Sequence, residues 1–363
     1  MKGDRATTNR LSEINFKKHR EVINLSKNNK KGDKMENQTP APIRAFQILG
    51  GMMNSFVLSA LIRNDVLETI DSGINSVDNL AEKCKLNKNV LARTLRYAEF
   101  IGLVNIADKK YSLTEVSKCF LKSTPGSLYS SANFISLPPW RDSWLNFEHC
   151  LKTGDSAFDN VFGQPFFQFL DTNQEYGQPF NNYMTTLTTM VAPMVAEAYD
   201  FSVFDKICDV GGGQGFLLKS ILEKSLHSKG ILFDIDSALK ENVLKDLSDR
   251  VEIVSGSFFD SIPTADCMVL KTIVHDWNDE NAVRILAGCR KSLNTGGKIL
   301  LVEQVIEEPY TLMSVFYDLH MQVMLGGAER TEQEFKILFE SAGLKLNRII
   351  PTKSPMKIIE ASC

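Results

Sequence analysis

Apolar residues recur at helical spacing in the first third of the chain and give way to short strand-like runs in its second half. Ile43, Phe46, Leu49, Met53, Val57, Leu61 and Val66 form an apolar stripe that predicts helix. Ser76 is placed to cap a short helix carrying Leu80 and Ala81. Asn87 is placed to cap the next, where Val90, Leu91, Leu95 and Ala98 share one face, and Gly102 stops it. Residues 104–106 and 111–113 flank Asp108-Lys109-Lys110 as a tight two-strand wing. Helix, turn, helix and wing make a winged-helix pattern. Residues 123–200 are rich in Phe, Tyr, Trp, Asn and Pro, irregular in the middle and closed by a helix over 181–199. From Phe204 the pattern alternates. Strands fit 206–210, 230–234, 251–255, 265–271, 298–304, 345–350 and 356–360, and helices fit 216–226, 280–293 and 331–342. Thr331 with Glu334 makes a capping box for the last helix. The alternation predicts an open, doubly wound α/β domain with a mainly parallel sheet.

Composition adds few constraints. At about 150 residues per domain, 363 residues suggest two domains. Lys and Arg number 41 against 44 Asp and Glu, a near-balance that argues against a chain dominated by nucleic-acid binding. Residues 76–112 carry seven positive side chains against four negative, a net of +3, interspersed as on a solvated face. A DNA-binding regulator using 87–111 is therefore an alternative function. The seven cysteines are widely spaced with no C-x-x-C, which fits a reducing cytoplasm and neither a disulfide scaffold nor a zinc knuckle. The longest uncharged stretch, 45–62, is interrupted by Gln47, Gly50, Gly51, Asn54, Ser55 and Ser59, so it reads as a buried helix near a subunit interface rather than a membrane span. Residues 1–38 hold ten Lys/Arg against five Asp/Glu, with six Asn and no apolar periodicity. They read as a disordered basic extension, dispensable for activity, with Met35 a second possible start.

The candidate chemistry sits where strands end. The first strand runs into Asp209-Val210-Gly211-Gly212-Gly213-Gln214-Gly215-Phe216, a turn that lets a ligand approach the backbone. Phe216 stands where a dinucleotide fingerprint needs Gly or Ala, which weakens a pyrophosphate reading. Asp234 ends the second strand, nineteen residues past Gly215, where an acid accepts hydrogen bonds from ribose hydroxyls. Asp234 and Asp236 have no third ligand at metal spacing, so no metal is expected. The third strand leads to Gly256-Ser257-Phe258, where an aromatic ring could stack on adenine.

Five motifs in order, Asp-Val-Gly-Gly-Gly-Gln-Gly, Leu-Phe-Asp, Leu-Lys-x-x-x-His-Asp-Trp, Leu-Val-Glu and Gly-Gly-x-Glu-Arg-Thr, resemble the S-adenosylmethionine-dependent O-methyltransferases of the caffeic-acid, hydroxyindole and bacterial polyketide or phenazine type. The resemblance spans about residues 40–363 and implies a Rossmann-like seven-stranded catalytic domain over 201–363, a helical linker and substrate-pocket region over 123–200, and a winged-helix-like dimerisation domain over 39–122. It implies that Asp209, Gly211 and Gly213 line the methionine end of the cofactor and that Asp234 holds the ribose. Phe258 would lie against adenine, with Lys271 and Trp277 completing the pocket. Ser257 stands where the family often has Asp against the adenine amino group, a weaker acceptor.

A phenol has a pKa near ~10 and needs a base at neutral pH. Of five histidines, His275 lies just past a strand's carboxyl end, and the resemblance makes it the general base, flanked by Glu303 and Glu329 as orienting acids. Met184, Phe166, Trp140, His149, Asp276, His320 and Met324 are candidate acceptor-pocket residues, since Met and aromatic side chains suit a flat aromatic ligand. The expected activity is methylation of a phenolic hydroxyl on a polyketide- or anthraquinone-like secondary metabolite by a cytoplasmic homodimer, with no nucleic-acid or membrane partner. N- or C-methylation, or a non-methylating cofactor-binding relative, is the alternative within the same fold.

Overall fold

The structure is a computed structural model and describes residues 39–363; the expectation for 1–38 lies outside the described residues. They divide into two compact units, one ending at Asn54 and one running from Ser55 to Cys363. In the first, the helix Ala41–Leu49 stops at Gly50, and a second helix, Gly51–Arg63, begins. Phe46, Ile48, Leu49, Met52 and Met53 are exposed. The stripe is therefore not one buried helix within this chain. Glycine at 50 and 51 interrupts it, and only its distal end, Leu61 and Val66, enters a core. Among the described residues no single helix is long and apolar enough to cross a membrane, and Ala41–Leu49 and Gly51–Arg63 pass that test only jointly.

In the second unit, Ser76 and Asn87 cap their helices through Asn79 N and Val90 N, as the spacing predicts. The wing is β1 (Val104–Ala107) paired antiparallel with β2 (Lys110–Leu113). Asp108 and Lys109 both take positive φ, 50° and 61°, which gives the two-residue turn the twist a hairpin needs. Leu67, Leu80, Leu91, Leu95, Val104 and Tyr111 pack into one core.

The stretch expected to be irregular is instead a run of short helices: Tyr129–Phe134, Pro138–Leu145, Phe147–Thr153, Ala157–Phe162 and Phe166–Thr172. Each has eight residues or fewer, too short for a periodic signature, and Gly154 and Gly163 end two of them at positive φ. The closing helix starts earlier than expected, Gln174–Ala198, and carries Pro179 and Pro193 within it.

The seven-stranded sheet comprises β3 (Lys206–Val210), β4 (Lys229–Asp234), β5 (Val251–Ser255), β6 (Ala265–Lys271), β7 (Leu293–Glu303), β10 (Lys345–Pro351) and β11 (Lys357–Ser362). Their spatial order is β10-β11-β7-β6-β3-β4-β5, with β11 antiparallel to both neighbours and the rest parallel. Alternate residues serve opposite faces. Cys208, Val210, Met268, Leu270, Ile299 and Leu301 pack beneath Ile285, Leu286 and Phe339, while Ile207, Cys267, Val269, Leu300 and Val302 pack against Leu217, Ile221 and Val195. A separate two-strand pair, β8 (Val305–Ile306) with β9 (Arg330–Thr331), ties the last connection to the sheet's carboxyl end. Thr331 and Glu334 form the expected capping box.

Candidate active site

Strands β3 and β6 are neighbours where the strand order reverses, so the loops leaving their carboxyl ends open the crevice of the sheet. The loop after β3 is shaped by glycine. Gly211, Gly213 and Gly215 take φ of 71°, 56° and 85°. A Cβ on Gly211 would stand 2.4 Å from Ile273 Cδ1, and one on Gly212 would stand 2.7 Å from Asp209 Cγ. The loop is thus pressed between β6's exit and Asp209. Gly213 N donates to Asp234 Oδ2 at 2.8 Å, and Ile235 N donates to Asp234 Oδ1 at 2.7 Å, so the acid ending β4 is fixed against the glycine loop. Thr185 Oγ1 donates to Gln214 Oε1 at 3.2 Å and fastens the long helix to the same loop.

Asp209 is buried, and its Oδ2 has no hydrogen-bond partner. Burial pushes its carboxyl up to about 7, with Lys271 opposing and Asp234 adding to the rise. Phe258 approaches the loop, with Cε1 3.9 Å from a Cβ built on Gly211, and meets Trp277 edge-on at 6.0 Å. Ser257 Oγ accepts the amide of Phe259 at 3.2 Å, so part of its acceptor capacity is spent on its own turn.

The chain leaves β6 through Thr272 at φ 52°, a conformation a β-branched residue rarely adopts. Lys271 Nζ donates to Thr272 Oγ1 at 2.9 Å. Burial lowers the Lys271 ammonium, and Glu303, Asp209 and Asp276 pull it back up. The turn then presents His275, only 7% exposed. Its Nδ1 lies 2.8 Å from Glu329 Oε1 and 3.6 Å from Glu303 Oε2, and its Nε2 lies 3.3 Å from Asp276 Oδ1. Burial alone would lower this imidazole, but the fields of Glu303, Glu329 and Asp276 outweigh it and push the group up to about 10. Burial in turn pushes Asp276 up to about 7 and raises Glu303. Glu303 Oε1 accepts the amides of Ile273 and Val274 at 3.1 and 2.9 Å, while its Oε2 stays unpartnered.

Four acids, Asp209, Asp276, Glu303 and Glu329, thus act on two bases, Lys271 and His275, and Asp234 adds to the negative charge through Asp209. A ligand bringing positive charge would balance the crevice. The ligand atoms of His275, Glu303 and Glu329 also lie within 4.8 Å of one another, close enough to converge on a metal ion. The Asp234–Asp236 pair weighed in the sequence is not part of that group.

The remaining candidates fall into one aromatic cluster or near it. Trp140, Phe166 and Met324 are buried together with Phe134, Tyr183 and Phe169, and Met184 packs against them. His320 stacks on Trp140 at 3.8 Å. Phe167, 6.4 Å from Trp277, links this cluster to the Phe258 side. His149 is half-buried on Phe147–Thr153 and makes no side-chain hydrogen bond among the described residues.

The sequence did not single out the residues that grip the His275 turn. Arg330 donates to the carbonyls of Val274 (3.1 Å), Ala328 (3.1 Å) and Trp277 (2.8 Å) and to Asp279 Oδ1 (2.9 Å). Ala328 N donates to His275 O at 3.0 Å, and a Cβ on Gly327 would stand 2.1 Å from that oxygen. All three residues sit inside the Gly-Gly-x-Glu-Arg-Thr motif, which was the available signal.

A family model described as an O-methyltransferase domain matches residues 144–345. The chain is 32% identical to a phenazine O-methyltransferase, PhzM, of Lysobacter antibioticus over 93% of this chain and 99% of that protein. It resembles the solved structure of the mitomycin 7-O-methyltransferase MmcR with a TM-score of 0.84 at 30% identity, covering 88% of this chain and 97% of the other. It also resembles the neocarzinostatin-biosynthesis O-methyltransferase NcsB1, solved with S-adenosylmethionine and 2-hydroxy-5-methyl naphthoic acid, with a TM-score of 0.76 at 26% identity over 85% of this chain and 96% of that one.

Proposed function

This chain belongs to the O-methyltransferase family, and from that premise we propose that it moves the methyl group of S-adenosylmethionine to a phenolic hydroxyl of an aromatic secondary metabolite, with His275 as general base. The observation that carries the reading is the His275–Glu329 contact of 2.8 Å at the carboxyl end of the sheet. In the neutral ring, an accepting Glu329 carboxylate keeps the one proton on Nδ1 and leaves the Nε2 lone pair for a substrate proton. The acids around it favour the imidazolium in the cofactor-free site, and the cofactor's positive charge would shift the balance back toward that neutral form. As that proton arrives, Glu303 and Glu329 stabilise the imidazolium.

The residues present fit the cofactor. Its ammonium and sulfonium answer the excess of buried carboxylates, above all the unpartnered Asp209 Oδ2. Gly211 and Gly213 would line its methionine end, Asp234 would hold the ribose, and Ser257, Phe258, Lys271 and Trp277 would complete the pocket. When bound, the cofactor supplies an electrophilic methyl on a sulfonium, so the protein's task is positioning and proton removal. Asp276, whose Oδ1 lies 3.3 Å from Nε2, would hold the incoming hydroxyl beside it. Met184, Phe166, Trp140, His320 and Met324 would form the acceptor wall, and His149 would contribute at its edge. No metal is assigned a role.

Residues 39–122 are read as a dimerisation domain, supported by exposed Phe46, Ile48 and Leu49. The active species would be a homodimer without nucleic-acid or membrane partners. Unpaired Cys150, Cys208, Cys267 and Cys289 in the core suit a reducing cytoplasm. The test is incubation with S-adenosylmethionine and a panel of hydroxynaphthoates, hydroxyphenazines and hydroxyanthraquinones. One equivalent of S-adenosylhomocysteine per O-methylated product supports the reading. Methylation confined to nitrogen or carbon, or no transfer across the panel, overturns it.

A further inference from the structure

His320 is a buried histidine whose proton position is fixed by its neighbour. Trp144 Nε1 lies 3.1 Å from His320 Nδ1, and an indole N–H can only donate. Nδ1 is therefore the acceptor, and in the neutral ring the proton sits on Nε2. The ring cannot turn away. It stacks on Trp140 with centroids 3.8 Å apart, and lies within 4° of parallel to Trp144 and Phe316. Burial and the nearby His275 charge both keep it neutral, pushing it down to about 3. Nε2–H has no hydrogen-bond partner among the described residues; the side chain is only 6% exposed, yet this nitrogen, unlike Asp209 Oδ2 or Glu303 Oε2, is not sealed from solvent. A donor whose tautomer and ring plane are both fixed, at an opening of the aromatic cluster, is set to meet an acceptor group on a ligand.

We propose that His320 Nε2–H is a specificity-determining donor to a carbonyl oxygen on the methyl acceptor, so that the favoured acceptors are hydroxylated quinones or aryl ketones rather than plain phenols. The inference rests on the reading of this aromatic cluster as the acceptor wall. A neutral carbonyl fits better than a carboxylate because the donor is uncharged. The side chains packed around the ring, among them Phe134, Trp140, Trp144, Tyr183, Phe316 and Met324, are uncharged, and the His275 charge that acts on it is already matched by Glu303, Glu329 and Asp276. Trp140 and Trp144 give flat faces for a fused ring system.

The experiment uses a matched pair of acceptors, 2-hydroxyanthraquinone and 2-hydroxyanthracene, with the full chain. Binding in the presence of S-adenosylhomocysteine and methyl transfer are both measured. Wild type should bind the quinone about tenfold more tightly than the hydrocarbon, the discrimination of one buried hydrogen bond. His320→Phe keeps a flat ring and loses the donor. Its quinone Kd should rise about tenfold more than its hydrocarbon Kd, the second acceptor registering what the loss of Trp144's hydrogen-bond acceptor does to the wall. His320→Gln restores a donor and should recover part of the preference. The His320 effect should be flat between about pH 6 and 9, because the ring is neutral throughout. A wild type without quinone preference overturns the assignment, as does a His320→Phe variant that weakens both acceptors equally. Transfer to 2-hydroxyanthracene in either case leaves O-methylation standing, whereas no transfer to any acceptor of the wider panel counts against O-methylation itself.

Discussion

Glu329 Oε1 stands 2.8 Å from His275 Nδ1, and Arg330, the next residue, donates to the carbonyls of Val274 and Trp277 on either side of that histidine. Two consecutive residues therefore fix both the ring proton of the base and the backbone that carries it. Gly327 completes the arrangement, since no side chain fits against the His275 carbonyl there.

Glu329→Gln removes a charge that raises the imidazole and leaves an amide that can still reach Nδ1. The acid limb of the pH–rate profile should move to lower pH, because the base loses a neighbour that favours its protonated form. kcat should fall by about 10–100-fold, and a pH series of initial rates measures both effects.

Removing Arg330's fork should loosen the turn without touching any reacting atom. Arg330→Lys should lower stability by about 1–3 kcal/mol and depress kcat more than it changes cofactor affinity. Asp279→Asn, at the exposed end of the same network, should do little. Denaturant melts and steady-state kinetics on the two variants separate the roles.

The cofactor-free protein should lose stability as pH rises. Asp209 and Asp276 sit at about 7 when folded, above the ordinary carboxylate value, so the folded state holds more protons than the unfolded one between about pH 4 and 7. His275, pushed up to about 10, extends the same trend from about pH 6.5 to 10. Its favourable contribution is complete below the unfolded value and gone above the folded one. Asp209→Asn should melt several degrees higher than wild type near pH 8 without cofactor, yet bind S-adenosylmethionine at least tenfold more weakly. Calorimetry with and without the cofactor tests both halves.

The glycine loop allows a contrast between two adjacent positions. Gly212→Ala would bring a Cβ to 2.5 Å from Leu232 Cδ1 and 2.7 Å from Asp209 Cγ. Overpacking should cost about 1–3 kcal/mol and displace Asp209, abolishing cofactor binding. Gly213→Ala meets no atom within 4 Å and pays only for its φ of 56°, about 1–2 kcal/mol. It should fold and bind more weakly, as thermal melts and cofactor titration will show.

Much of the sheet was legible because buried parallel strands are short apolar runs that end where the chemistry begins. β3, β5 and β6 carry the expected bounds, and Asp209, Asp234 and His275 all fall at or just past carboxyl ends. β7 starts at Leu293, five residues before the apolar run, because Leu293 pairs with Ala265 ahead of a register shift. The helices between Tyr129 and Thr172 escaped periodicity because each is too short to repeat a face. The apolar stripe near Phe46 predicted helix correctly, but apolarity alone could not say whether its own chain would cover it. The site's acids were visible as motif residues. The Trp144–His320 bond, by contrast, joins positions 176 residues apart and leaves no local trace.

The most direct measurement of the central claim is single-turnover methyl transfer by His275→Ala and His275→Asn, with an acceptor that the wild type methylates. Loss of the base should slow transfer by about 10²–10⁴-fold while the Kd for S-adenosylmethionine stays within about threefold of wild type. Transfer within threefold of wild type in both variants would contradict the assignment of His275 as the group that takes the hydroxyl proton.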